Sequence, residues 1–334
     1  MSARRGLAIL GMAAAITLAL SGCSDTDEPR IQTLGELGAA YLDAGGQCDD
    51  LVEQYRADDS TPPIATCGDS TILAIAADTA TADSLRLEYR MLGLLALEGD
   101  GWFIVDPDVQ QLASPLGGEV IEPPSAAGPS NAASNAFVLL PGGALAESPA
   151  ESDASSPAPI ADVPGAATIE LYLDVECPSC ASFVEANAAS IKAWVAEGSA
   201  QLVLHPVALA DDPQTDYFAT RANNAIACVA EAGPQSVVDF ALALYAEPDA
   251  AETGDEAFIA LAESFGVDIA NCARQITYLG WVRDVTEMTA ASTLADGYDF
   301  RGTPTILVND LQFVGDPANA AEFEEFFASQ LTIP

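Results

Sequence analysis

Apolar residues fall along the chain in two blocks of regular spacing, separated by a stretch that has none. In the first block Leu34, Leu37, Ala40 and Tyr41 recur at helical intervals over Thr33–Ala44 and stop at Gly45-Gly46, which predicts an amphipathic helix with a glycine terminator. Thr71–Ala76 has the length and apolarity of a buried strand. Leu85–Leu97 carries apolar residues at helical spacing, and Gly101–Val105 follows a Gly-Asp-Gly turn as a second strand. Gln110–Leu116 reads as a short closing helix ended by Gly117-Gly118. Together these elements predict a small α/β domain over residues 31–121. From Pro123 to Pro164 eight prolines stand among Ala, Ser, Gly and Glu, a linker composition that places a flexible segment at 122–165. Phe137–Leu140 interrupts it, either as an edge strand added to the next domain or as an apolar patch inside the linker.

The second block opens with a strand at Ile169–Val175, followed by helical periodicity over Phe183–Val195 and a second strand at Gln201–Val207. Tyr217–Leu294 is almost wholly helical in pattern. Gly302–Val308 then reads as a third strand, Asn309-Asp310 as a turn, Gln312–Val314 as the returning arm of a hairpin, and Glu322–Leu331 as a final helix. With 334 residues, two domains joined by a linker are the natural division.

Chemistry concentrates where the first strand of the second block meets its helix, at Glu176-Cys177-Pro178-Ser179-Cys180. A CxxC opening a helix turns unpaired N–H groups and the positive helix end toward the first sulfur, favouring its thiolate. Pro178 suits the first helical turn, where no N–H is needed. Cys177 is therefore the expected nucleophile and Cys180 its resolving partner. A structural zinc site would need two more Cys or His ligands, but there is no second CxxC and His205 is the one histidine, so no metal and no cofactor beyond the Cys177–Cys180 couple is expected. A purely structural bridge across two residues constrains the unfolded chain little.

The other cysteines and the N-terminus point to export. Arg4-Arg5, an apolar run from Leu7 to Leu20 and Leu20-Ser21-Gly22-Cys23 form a signal peptide over 1–23. Its ending resembles the lipobox of bacterial lipoproteins, which makes Cys23 the lipidated first residue of the mature chain and 24–30 a tether. With Cys23 set aside, six cysteines remain, and proximity suggests structural disulfides Cys48–Cys67 and Cys228–Cys272 in an oxidising compartment. Lys+Arg is 11 against Asp+Glu 50, a formal net charge of −39, which excludes gripping a nucleic-acid backbone. The anchor places the protein at an extracytoplasmic membrane surface, an outer membrane if the cell has two.

Residues 166–334 resemble the DsbA-like branch of the thioredoxin superfamily, on Asp174-Val-Glu-Cys-Pro-Ser-Cys180, the insertion carrying Ala225-Ile-Ala-Cys228 and Gly302-Thr-Pro-Thr305. The resemblance implies a thioredoxin-like α/β domain with a helical insertion at about 217–296. It also implies a cis-proline at Pro304, with Thr303 beside it, packed against the CxxC and contacting extended clients. Many relatives place a buried proton-relaying carboxylate six residues before the first cysteine, but here that position is Leu171. Glu170 should point to the other sheet face, and Asp174 or Glu176 could substitute, while His205 reads as structural. The implied activity is thiol-disulfide exchange, read in the direction that oxidises exported cysteine-containing proteins, with a membrane redox partner resetting the site. Reduction or isomerisation, and a redox-inert binding lipoprotein, are the alternatives.

Overall fold

The structure is a computed structural model that describes residues 31–54, 61–132, 135–147, 160–212, 215–246, 254–294, 297 and 299–331. The proposed signal segment, Cys23 and the tether at 24–30 lie outside them.

The first block builds one antiparallel sheet from β1 (Leu51–Glu53), β2 (Ile64–Cys67), β3 (Thr71–Ile75), β4 (Ala96–Gly99), β5 (Trp102–Val105) and β6 (Glu119–Ile121), in the order β1-β2-β3-β5-β4-β6. Three helices flank it: α1 (Leu34–Asp43), α2 (Thr79–Met91) and α3 (Val109–Leu116). Central strand β5 shows why its four residues are all apolar. Trp102 and Ile104 pack with Leu37 of α1 and Leu112 of α3, while Phe103 and Val105 pack with Leu85 and Tyr89 of α2. A strand buried on both faces loses the alternation expected of a half-buried one. Cys48 and Cys67 are disulfide-bonded, tying the loop after α1 to β2.

The expected helix at Leu85–Leu97 is shifted. It starts at Thr79, where the Asp78 carboxylate accepts the Thr81 N–H at 2.8 Å, and it ends at Met91 before Gly93 takes φ +66°. The polar first turn carries no apolar stripe, so the cap rather than periodicity marks its start. Leu97, counted as helical, lies in β4 instead. The short strands β1, β2 and β6 had no pattern long enough to read.

The second sheet has the order β11-β10-β8-β9-β7, from β7 (Phe137–Leu139), β8 (Ala167–Leu173), β9 (Ala200–Pro206), β10 (Thr305–Val308) and β11 (Leu311–Gln312). β8 and β9 are parallel, joined through the crossover helix α4 (Pro178–Glu197), and the remaining pairs are antiparallel. Between β9 and β10 lies a helical insertion of α5 (Phe218–Ala232), α6 (Val237–Ala246), α7 (Gly254–Ser264), α8 (Ala270–Arg274) and α9 (Leu279–Ala290), and α10 (Ala320–Gln330) closes the chain. This is a thioredoxin-like α/β domain with a large helical insertion. Cys228 of α5 and Cys272 of α8 are disulfide-bonded, fastening two insertion helices.

Of the two readings open for Phe137–Leu140, the strand is the one observed. Phe137 pairs with Leu204, and its fully buried ring lies 5.7 Å from Trp281 of α9. The segment between the sheets is therefore not a free tether along its whole length. Ser130 N–H donates to Glu231 and the Asn131 amide to the Ala230 carbonyl. The chain also crosses Gly280, where a Cβ would fall 2.3 Å from the Ser125 carbonyl oxygen. The two blocks meet directly as well, with Leu87 and Met91 of α2 packed on Ile276, Leu279 and Tyr217.

Candidate active site

Strand β8 delivers the chain to the site with strict alternation. Ile169, Leu171 and Leu173 enter the core under α4, while Glu170 and Tyr172 face the other way. Glu170 Oε2 lies 3.5 Å from His205 Nε2, and the His205 ring stacks on Tyr172 at 4.0 Å. His205 and Glu170 thus belong to a structural cluster on the opposite face of the sheet, away from the cysteines.

Cys177 is the N-cap of α4 and Pro178 its first helical residue. The Cys177 Sγ accepts the Cys180 N–H at 3.3 Å, as a capping oxygen would. Both cysteines are thiols here: Cys177 is half-buried, and Cys180, 0% exposed, lies one turn inside the helix. The two sulfurs are held in opposite ionisation tendencies. A hydrogen bond from the Cys180 thiol, followed by bonds from the Thr303 side chain and the Cys180 and Ser179 N–H groups, pulls the Cys177 pKa down to about 6 against the opposing effect of burial. Burial and the hydrogen bond it donates to Cys177 push the Cys180 thiol far above its ordinary value.

The loop before β10 closes the site from the other side. The Thr303–Pro304 peptide is cis, and the Cys177 S–H donates to the Thr303 carbonyl at 3.3 Å. The pair expected to flank the CxxC is thus brought against it. When Cys177 ionises it loses that donated bond and keeps those it accepts.

Three carboxylates gather behind the cysteine loop. Asp174, 0% exposed, accepts the Glu176 N–H and the Ala210 N–H, each at 2.9 Å, so it pins the loop after β8 to the loop after β9. Glu176 accepts a hydrogen bond from the Thr215 hydroxyl at 3.5 Å, and Asp211 accepts the Thr220 N–H and hydroxyl. Burial raises the pKa of all three, and mutual repulsion adds to it for Glu176 and Asp211. Tyr245 of α6, fully buried, donates to the Leu173 carbonyl at 3.4 Å, and burial, then the Asp174 charge, pushes its pKa well above the ordinary value. Asp211 and Tyr245 escaped sequence reading. Asp211 is 37 residues from Asp174 along the chain, and Tyr245 sits in an apolar helix where it reads as core.

Residues 164–328 match the family model described as Thioredoxin. Solved structures similar in fold include a disulfide bond oxidoreductase (DsbG) from Mycobacterium tuberculosis, 21% identical, covering 59% of this chain and 88% of that one with a TM-score of 0.45. Two more are the thiol-disulfide oxidoreductase MdbA from Corynebacterium diphtheriae, at 18% identity, 62% and 94% coverage and TM-score 0.47, and BdbD from Bacillus subtilis, at 17%, 63% and 100%, and 0.43. No curated protein matches the chain. Among the described residues no helix is long and apolar enough to cross a membrane, and no group of three or more His, Cys, Asp or Glu is placed to hold a metal ion.

Proposed function

We propose that the chain is an extracytoplasmic thiol-disulfide oxidoreductase that oxidises cysteine pairs of exported proteins through Cys177 and Cys180. The observation that carries this reading is the contrast between a half-exposed Cys177 at the head of α4, with its pKa down at about 6, and a buried Cys180 one turn away. Starting from the Cys177–Cys180 disulfide, a client thiolate attacks Cys177 Sγ. The S–S bond breaks, its electron pair leaves on Cys180, and Cys180 takes up a proton. A second client thiolate then attacks the client sulfur of the mixed disulfide and expels Cys177 as a thiolate. The client has lost two electrons and the protein has gained them. A membrane redox partner of oxidising character would reset the pair.

The reductive and isomerising directions use the same atoms, beginning with attack by the Cys177 thiolate. Stabilising that thiolate favours the reduced form and so makes the disulfide the stronger oxidant, which supports the oxidising direction. Asp174 is the better-placed of the acids expected to serve Cys180, because it is fully buried beside the cysteine loop while Glu176 is partly exposed. The Thr303-Pro304 segment, with a carbonyl 3.3 Å from the nucleophile, suits contact with an extended client. The lipobox supports anchoring through Cys23 at the outer face of a membrane, with no nucleic acid among the partners.

The test is trapping. Cys180→Ser should accumulate mixed disulfides with reduced client proteins, and Cys177→Ser should form none. Trapping by the Cys177 variant instead would overturn the assigned roles.

A further inference from the structure

A cavity of about 380 Å³ opens where α2 meets the helical insertion, and neither Cys177 nor Cys180 lines it. Four of the chain's 11 basic residues line it, in a molecule of net charge −39: Arg86 and Arg90 from α2, Arg221 from α5 and Arg274 from α8. Such a concentration needs a reason, because like charges brought together cost free energy unless each is paired.

Three of the four face a carboxylate. Arg86 is held by Glu98 and Asp83, and Arg274 by Glu256 at 2.9 Å. Arg90, which faces none among the described residues, and Arg221, which faces two, still keep donors to spare. Arg90 is half-buried, and the one hydrogen bond it makes among the described residues is a long one, 3.4 Å, from Nη2 to the Ile276 carbonyl. Burial, and then the neighbouring Arg86 charge, push its pKa below the ordinary value, the mark of a guanidinium short of negative charge. Arg221 is 7% exposed. Its Nη1 meets Asp255 at 3.2 Å and Asp216 at 3.5 Å, but its Nε is buried with no hydrogen-bond partner. A buried unpaired guanidinium N–H is costly and uncommon in a folded protein.

We propose that this cavity is a carboxylate-binding site in which Arg90 and Arg221 receive the acid group of a peptide side chain or of a small organic acid. Guanidinium groups match a planar carboxylate in geometry as well as charge. The other walls narrow the ligand. Asp83, Asp216 and Asp255 offer acceptors and would repel a multiply charged anion such as phosphate, while Leu87 and Ile276 supply apolar contact. A singly charged carboxylate on a body that also carries hydrogen-bond donors fits that lining. Arg90 comes from the first sheet's helix and Arg221 from the insertion, so the bound acid would clamp the two units together.

The experiment uses the full chain purified in detergent. Titration calorimetry compares a capped Ala-Glu-Ala peptide, its Ala-Gln-Ala counterpart, glutaramate (a monocarboxylate carrying an amide) and inorganic phosphate, against the wild type and Arg90→Gln. Thermal unfolding of each mixture is recorded alongside. The wild type should bind the Glu peptide at least tenfold more tightly than the Gln peptide, Arg90→Gln should lose at least tenfold, and the ligand should raise the wild-type unfolding temperature. Glutaramate binding as tightly as the Glu peptide would identify a free acid as the source, and weaker glutaramate binding would identify a peptide. Equal binding of the Glu and Gln peptides, no binding of any carboxylate, a preference for phosphate, or an Arg90→Gln protein that folds and binds as the wild type does would each overturn the proposal. Because binding is read without thiol turnover, this outcome is independent of the redox reading.

Discussion

At Cys177 the sulfur occupies the place that a serine or aspartate oxygen takes at many helix starts, and its chemistry follows from that substitution. It accepts the Cys180 N–H at 3.3 Å while the Cys180 thiol and the Thr303 side chain also donate to it. Alkylation of the reduced protein by iodoacetamide should therefore rise through about pH 6 and level off well below the range of an ordinary thiol. A titration midpoint above pH 8 would contradict this. The same depression carries a stability consequence for the reduced form. Its contribution is fully present above the unfolded thiol's pKa and is lost as pH falls through about 6. Thr303→Val removes one of the donors, so it should move the alkylation midpoint upward without unfolding the domain. An unmoved midpoint would mean that the Thr303 side chain does not act on the sulfur. The placement of Cys177 at the head of α4, with Cys180 one turn inside it, was legible from Cys-Pro-Ser-Cys at a strand-to-helix junction. The company of acids was not, because Asp211 and Tyr245 reach Asp174 through tertiary folding that no local pattern announces.

Elements recorded their burial more faithfully than their ends. The alternation in β8 correctly sends Leu171 into the core and Glu170 to the face shared with His205. By contrast α2 begins six residues before Leu85, its first large apolar residue, since a side-chain cap and not a hydrophobic stripe starts it. β7 is the most consequential element to have stood in low-complexity sequence. Three residues are too few to show a period, yet Phe137 is wholly buried against β9 and α9. Phe137→Ala should destabilise the second block by about 3–5 kcal/mol, the usual range for a large buried aromatic. Chemical denaturation showing a loss under about 1 kcal/mol would place Phe137 outside the core. The insertion has its own staple. Closing the 44-residue separation between Cys228 and Cys272 is worth about 4 kcal/mol on loop entropy, so Cys228→Ser should lower stability by roughly that amount while leaving trapping by Cys180→Ser intact.

For the whole molecule, the first block and the thioredoxin-like block are joined by more than a linker. Leu87 and Met91 of α2 pack on the insertion, and residues 130–131 are hydrogen-bonded to α5. Eight prolines marked 122–165 as linker, with Phe137–Leu140 open as an edge strand, and composition alone could not reveal that residues 130–131 dock as well. If Cys23 carries lipid, Cys23→Ala should shift the protein from the membrane fraction to the soluble exported fraction, with thiol exchange by the purified protein unchanged. Retention in the membrane fraction would refute anchoring at Cys23. The central claim is that Cys177 and Cys180 form an oxidising couple, and it is tested most directly by equilibrating the protein with glutathione buffers of stepped potential and quantifying the dithiol. The prediction is a pair still largely reduced at about −180 mV, the poise of an oxidising folding compartment. A disulfide that persists at about −270 mV, where thioredoxin itself balances, would contradict it.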